Sequence, residues 1–130
     1  MIVVADTSVV LDFLDGNILD PYALIRPYQL IVLSTVAFHE VLRSYPEELH
    51  SQLADKLSQE ILPPPNLEHW TESARILRKL YPLRHEKNVA RIQNDILIAL
   101  SAREIDAPIW SRDLDFELIC THLGIGLIAQ

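Results

Sequence analysis

An unbroken apolar run, Ile2-Val3-Val4-Ala5, stops abruptly at Asp6-Thr7-Ser8, and this junction constrains the fold more than any other feature of the chain. A strand with one wet face would alternate polar and apolar residues. A run without a polar break suits a strand covered on both faces, as in a parallel sheet. Asp6, Thr7 and Ser8 are all good helix N-caps, and Val9, Val10, Phe13 and Leu14 follow at helical spacing. The same grammar recurs downstream. Leu30-Ile31-Val32-Leu33 reads as a second buried strand, with Ser34 capping a helix that runs to about Ser44. Pro108-Ile109-Trp110-Ser111 reads as a third, followed by a short helix from Leu114 to Leu123 and a last strand from Ile125 to Ala129.

Helices fill the intervals. Gly16-Asn17 ends the first helix, and Asp20-Pro21 restarts one with a cap and a proline at its first position. Pro46 opens a helix from Glu47 to about Glu60, and Pro63-Pro64-Pro65 forms a stiff elbow. Asn66 then caps a helix to about Leu80, its apolar residues being Trp70, Ala74, Ile76, Leu77 and Leu80. Tyr81 to Asn88 breaks the pattern and reads as a loop, and a strong helix follows from about Val89 to Ile105. Strands alternating with helices imply a three-layer α/β/α sandwich around a central, mostly parallel sheet. Ligands of such sheets bind beyond the carboxyl ends of the strands. That rule singles out Asp6 and Ser111–Asp115.

Composition narrows the class. With 130 residues the chain is expected to form one domain, residues 1–130, and 49% hydrophobic with 22% charged residues excludes a disordered or fibrous chain. Cys120 is the one cysteine, which excludes a disulfide framework and any multi-cysteine metal site. The start reaches an acid too soon for a signal peptide, and no apolar run approaches the roughly 18 residues of a membrane span, so a cytoplasmic protein with no membrane partner is expected. The formal charge of −7 argues against a general nucleic-acid coat. Six of the eleven basic residues nonetheless lie between Arg75 and Arg91: Arg75, Arg78, Lys79, Arg84, Lys87 and Arg91.

Four acids stand where solvated acids do not belong. Asp6 ends a buried strand, although it also serves as a helix cap. Glu40, in Val36-Ala37-Phe38-His39-Glu40-Val41-Leu42, sits at the margin of an apolar helix face and has Arg43 one turn on as a simple partner. Asp95 heads a stripe of Ile98, Ala99 and Ala102, where an unpaired carboxylate costs several kcal/mol unless a cation compensates it. Asp113 follows the third strand, and it too would serve as a cap. Carboxylates gathered at one sheet edge repel unless divalent cations sit between them. All-oxygen ligands favour magnesium or manganese over zinc, and such ions support attack of water on a phosphodiester.

These residues resemble the PIN-domain nucleases, and within them the small VapC-type toxin ribonucleases. The carriers are Asp6-Thr7-Ser8 after the opening strand, Glu40 in Ser34–Arg43, the helix Asp95-Ile96-Leu97-Ile98-Ala99, and Ser111-Arg112-Asp113-Leu114-Asp115-Phe116. No single piece is specific; the ordered set of four in a short α/β chain is. The resemblance implies that Asp6, Glu40, Asp95 and Asp113 are the catalytic, metal-binding quartet for Mg2+ or Mn2+, with Asp115 as a candidate fifth ligand. It implies supporting hydroxyls on Ser8 and Ser111, endonucleolytic cleavage of RNA, and a cognate antitoxin as partner. Ser111 stands where threonine is commoner. Arg43, Arg112, Arg84, Lys87 and Arg91 are candidate contacts to RNA phosphates. The helical pair around residues 20–60, with Tyr22, Ile25, Leu49, Leu53 and Leu57, is a candidate surface for the antitoxin or a second copy, and a homodimer is expected.

Other readings fall away. His39-Glu40-Val41-Leu42-Arg43 misses the zinc-protease pattern because Arg43 occupies the second ligand position. Ser8 replaces the second acid that a haloacid-dehalogenase phosphatase needs. A receiver domain needs a late lysine, and none follows Lys87. Three glycines leave no phosphate-binding loop. Cys120, Trp70 and Trp110 read as core. A different class remains as the alternative: a PIN-domain protein that processes RNA or acts without catalysis, mainly through partner binding.

Overall fold

A computed structural model describes residues 1–18, 20–21, 30–82 and 89–129. The opening run forms β1 (Ile2–Ala5), which feeds α1 (Thr7–Leu14) through Asp6. Then come β2 (Leu30–Val32), α2 (Thr35–Arg43), α3 (His50–Leu57) and α4 (Leu67–Leu80). The chain finishes with α5 (Val89–Glu104), β3 (Ile109–Trp110), α6 (Asp115–Leu123) and β4 (Leu127–Ile128). The four strands lie in the order β2-β1-β3-β4 and every pair is parallel.

Successive strand residues face opposite sides of a sheet, and Val3, Val4 and Ala5 are all sealed from solvent. Both faces of β1 are therefore covered, which is the α/β/α sandwich that the apolar run implies. The largest sealed side chain, Trp110, sits beside β1 in the register Ala5 to Trp110. On α5, Ile96 through Ala102 are buried without interruption, so this helix runs through the interior directly behind Asp95. Among the described residues no helix is long and apolar enough to cross a membrane.

Several expectations shift. The helix over 47–60 is three pieces, a 3-10 turn at Glu47–Leu49, α3, and a 3-10 turn at Ser58–Glu60. The last two strands are two residues each, shorter than their apolar runs. Trp70 and Ala74 are exposed rather than core, because α4 buries Ser73 and Ile76 and turns those two away. Trp110 and Cys120 are core as expected, and burial pushes the Cys120 thiol up to about 11. On the residue 20–60 surface, Leu57 is buried and Leu53 half-buried, leaving Leu49 exposed, while Tyr22 and Ile25 lie outside the described residues. The restarted helix falls mostly outside them too.

Candidate metal centre

The site begins where β1 and β3 end. Asp6 N–H donates to the carbonyl of Trp110 at 3.0 Å, so the residues after both strands stand side by side. Asp6 is 4% exposed and Ser111 1%, and Ser111 Oγ donates to Asp6 Oδ2 at 2.6 Å. Ser8 Oγ reaches both carboxylate oxygens at 2.9 and 3.0 Å, while Val9 N–H donates to Oδ1 at 3.0 Å. The capping role and the site role of Asp6 are thus one geometry. Burial still holds its pKa above the ordinary value, against the lowering effect of these donors.

Glu40 arrives on α2, whose Ser34 cap accepts from Ala37 N–H at 3.1 Å. It does not pair with Arg43; its Oε1 accepts from Thr7 Oγ1 at 2.7 Å, a contact spanning 33 residues. Thr7, which the sequence offered only as a helix cap, lines the same cleft through this contact. Its signal was its place between Asp6 and Ser8, at the first position of α1, where a hydroxyl clears the helix and faces its neighbour.

Asp95 is the anomalous member. Its Oδ2 is shielded from solvent with no hydrogen-bond partner among the described residues. Burial pushes its carboxyl up to about 7, helped by the fields of Asp113, Glu40 and Asp6 and opposed by Arg91. Asp113 behaves oppositely. Burial opposes its ionisation, but the Asp115 N–H at 3.0 Å and the Arg91 guanidinium outweigh burial and hold the carboxyl below its ordinary value. Arg91 lies 2.6 Å from Asp113 and 3.4 Å from Asp115. A cation in the first turn of a helix is unfavourable against the helix dipole, and these carboxylates compensate it.

Asp6, Glu40, Asp95 and Asp113 line one cleft of about 480 Å3, together with Thr7, Ser8, Arg43, Arg91 and Asn94. Asp115 does not line it, although Arg91, which does, lies 3.4 Å from its carboxylate. Ser8 and Ser111 both serve Asp6, and Ser111 also accepts from Asp113 N–H at 2.9 Å. Of the basic candidates, Arg43 and Arg91 line the cleft, whereas Arg112 reaches Asp12 at 2.8 Å. Arg84 and Lys87 lie outside the described residues.

The donor set suits a hard divalent cation: four carboxylates, no sulfur or imidazole, and one buried oxygen without a partner. Among the described residues no three of the acidic, histidine or cysteine side chains converge on one coordination point as they stand. Ser8 and Ser111 hold Asp6, Thr7 holds Glu40 and Arg91 holds Asp113 instead, which leaves Asp95 Oδ2 as the oxygen without a partner.

A parallel sheet with a carboxylate-lined cleft beyond its strand ends defines an α/β protein with an acidic edge site. The chain belongs to the PIN domain family, which it matches over residues 3–121. In fold it is similar to VapBC-1 from nontypeable Haemophilus influenzae, with a TM-score of 0.68, 17% identity, and 98% of this chain and 96% of that chain covered. VapBC-5 from Mycobacterium tuberculosis, of the VapBC family of toxin-antitoxin systems, gives 0.62 at 22% identity, covering 99% and 98%. VapBC2 from Rickettsia felis, bound to a DNA fragment from its promoter, gives 0.65 at 16% identity, covering 98% and 97%. Comparison with curated protein sequences gives no match.

Proposed function

We propose that this PIN-domain protein is a magnesium- or manganese-dependent endoribonuclease and the toxin of a type II toxin–antitoxin pair. The observation that carries the reading is Asp95, whose buried, unpartnered oxygen faces the fields of three further carboxylates. Such a group is costly to keep and gains most from a divalent cation. Asp6, Glu40, Asp95 and Asp113 would hold that cation, which lowers the pKa of the attacking water and steadies the leaving oxygen of the phosphodiester.

The chain's own groups prepare the site. Ser8 and Ser111 fix the carboxylate plane of Asp6, and Thr7 fixes Glu40. Arg91 offsets the charge of Asp113 and Asp115. Arg43 lines the cleft and has no ion-pair partner among the described residues, leaving its guanidinium to meet a phosphate oxygen. The toxin role draws support from the VapBC likeness, and an antitoxin and a homodimer belong to the same reading.

The test is cleavage of end-labelled total tRNA and ribosomal RNA fragments with magnesium, with manganese, with EDTA, and beside Asp95→Asn. Discrete products that need metal and vanish in the variant are expected. Cleavage that survives EDTA, or that Asp95→Asn leaves untouched, would remove the quartet from the chemistry. Co-expression with a neighbouring small open reading frame, if it relieves growth arrest, supports the toxin role.

A further inference from the structure

A second cleft, of about 320 Å3, opens between α4, the end of α5 and the end of α6. It is lined by Arg75, Lys79, Arg103 and His122, with Glu72 as its one acid. Glu72 is already committed to Arg103, 2.6 Å away. Arg75 and Lys79 are exposed and have no ion-pair partner among the described residues. They stand four residues apart on one helix, where like charges repel by about 0.2–0.5 kcal/mol. In a chain with 18 acids and 11 basic residues, unmatched cations around one cleft are the reverse of what composition supplies.

We propose that this cleft binds the phosphate backbone of single-stranded RNA at a distance from the reacting phosphodiester. The inference rests on the ribonuclease reading and adds a second, non-catalytic contact for the same substrate. Two observations favour RNA over an acidic protein segment. The unpaired guanidinium fork of Arg75 and the ammonium of Lys79, one turn apart beside the cleft, match successive phosphate oxygens, while Arg103 is held by Glu72. In addition, α4 leads from this cleft toward the acidic one: His69 meets Glu104 at 2.9 Å and Glu72 meets Arg103 at 2.6 Å, so α4 runs antiparallel to α5 and its last turn approaches the half of α5 that carries Asp95. Lys79 lies within one turn of that end and Arg75 within two, roughly 2–8 Å along the axis, so a bound strand can span both clefts. An acid-rich site repels RNA, and a cationic anchor beside it offsets that repulsion.

The test measures binding of a labelled 12-nucleotide oligouridylate in EDTA against salt concentration. Wild type is compared with Arg75→Gln/Lys79→Gln and with single variants Lys79→Gln and Arg78→Gln. Arg78 is exposed on the same helix but does not line the cleft, so it controls for charge alone. Each lost phosphate contact flattens the log–log salt slope by about 0.7, so the double variant should flatten it by about 1.4, with affinity falling several-fold. Arg78→Gln should change it far less than Lys79→Gln. An unchanged slope, or equal effects of Arg78→Gln and Lys79→Gln, would overturn the cleft assignment while leaving the ribonuclease reading standing. If the double variant loses binding of a labelled polyglutamate peptide, measured alongside, while its RNA binding stays intact, the assignment to RNA is overturned in favour of an acidic protein partner. Failure of the wild-type protein to bind the oligonucleotide would overturn this inference alone, since metal-dependent cleavage decides the ribonuclease reading.

Discussion

The two clefts solve opposite electrostatic problems with opposite means. In the acidic cleft, like charges are gathered in a largely buried place, and short hydroxyl contacts plus one guanidinium hold them there. In the basic cleft, the cations stay in water, where screening makes their repulsion tolerable. The first arrangement depends on ångström-level geometry and resists salt; the second depends on charge count and yields to salt. The two clefts should therefore respond differently to every perturbation.

The largest difference should come from single carboxylates. On the proposed reading, Asp6→Asn, Asp95→Asn or Asp113→Asn should each lower RNA cleavage by about 100-fold or more, since each would remove a direct ligand rather than an outer-shell partner worth about 10–100-fold. RNA binding in EDTA should hold or improve, because negative charge leaves the cleft. Matched cleavage and binding measurements decide this. A variant that loses binding but keeps turnover would show that the acidic cleft is not the chemical one.

A pH dependence should follow for the acidic cleft alone. The Asp95 carboxyl moves from an ordinary 3.8 to about 7 on folding. The folded state binds this proton more tightly than the unfolded chain, so the contribution of Asp95 to metal-free stability is full below about pH 4 and is lost as pH rises through about 7. The loss is on the order of 1–3 kcal/mol. Thermal melts in EDTA from pH 5 to 8 should show it, Asp95→Asn should remove most of it and leave what the raised Asp6 carboxyl contributes, and saturating magnesium should shrink it, because the cation takes the carboxylate form. A flat profile in wild type would mean that Asp95 finds a partner in solution. At Ser111 the expected effect is smaller: Ser111→Ala removes a 2.6 Å hydroxyl contact from Asp6 and should weaken manganese binding by about tenfold in calorimetry.

The sequence made the carboxylates legible because they violate local rules. An acid closing an apolar strand and an acid heading an apolar helix stripe are visible without any fold, and Asp6 and Asp95 do line one cleft. The strand order, β2-β1-β3-β4, positions them, and alternation of apolar runs with helix signals was enough to imply its parallel character. What escaped was set by tertiary contact. Thr7 and Glu40 lie 33 residues apart and nothing in either neighbourhood marks the pair. Arg91 read as a free phosphate ligand, because its ion pairs reach over 22 and 24 residues to Asp113 and Asp115. Trp70 read as core because size and hydrophobicity outweigh a rotation on the helical wheel that only packing fixes.

Arg91 supplies the finest test of the comparison, since it is the cation of the acidic cleft that is tied into ion pairs with the carboxylates. Its guanidinium is well exposed, and exposed ion pairs are worth about 0.2–1 kcal/mol. Arg91→Gln should therefore raise manganese affinity by about two- to fivefold, because the guanidinium no longer competes for Asp113. In EDTA the same variant should melt slightly lower, since the carboxylates lose their internal counter-ion. Arg43→Gln is the control: it removes a cation from the same cleft without breaking an ion pair among the described residues. If the bridge matters, Arg91→Gln exceeds Arg43→Gln in calorimetry, and only Arg91→Gln lowers the metal-free melting temperature. If the two variants raise affinity equally and neither melts lower, the cleft senses only its summed field. The acidic site would then obey the same screened, geometry-free electrostatics as the basic one.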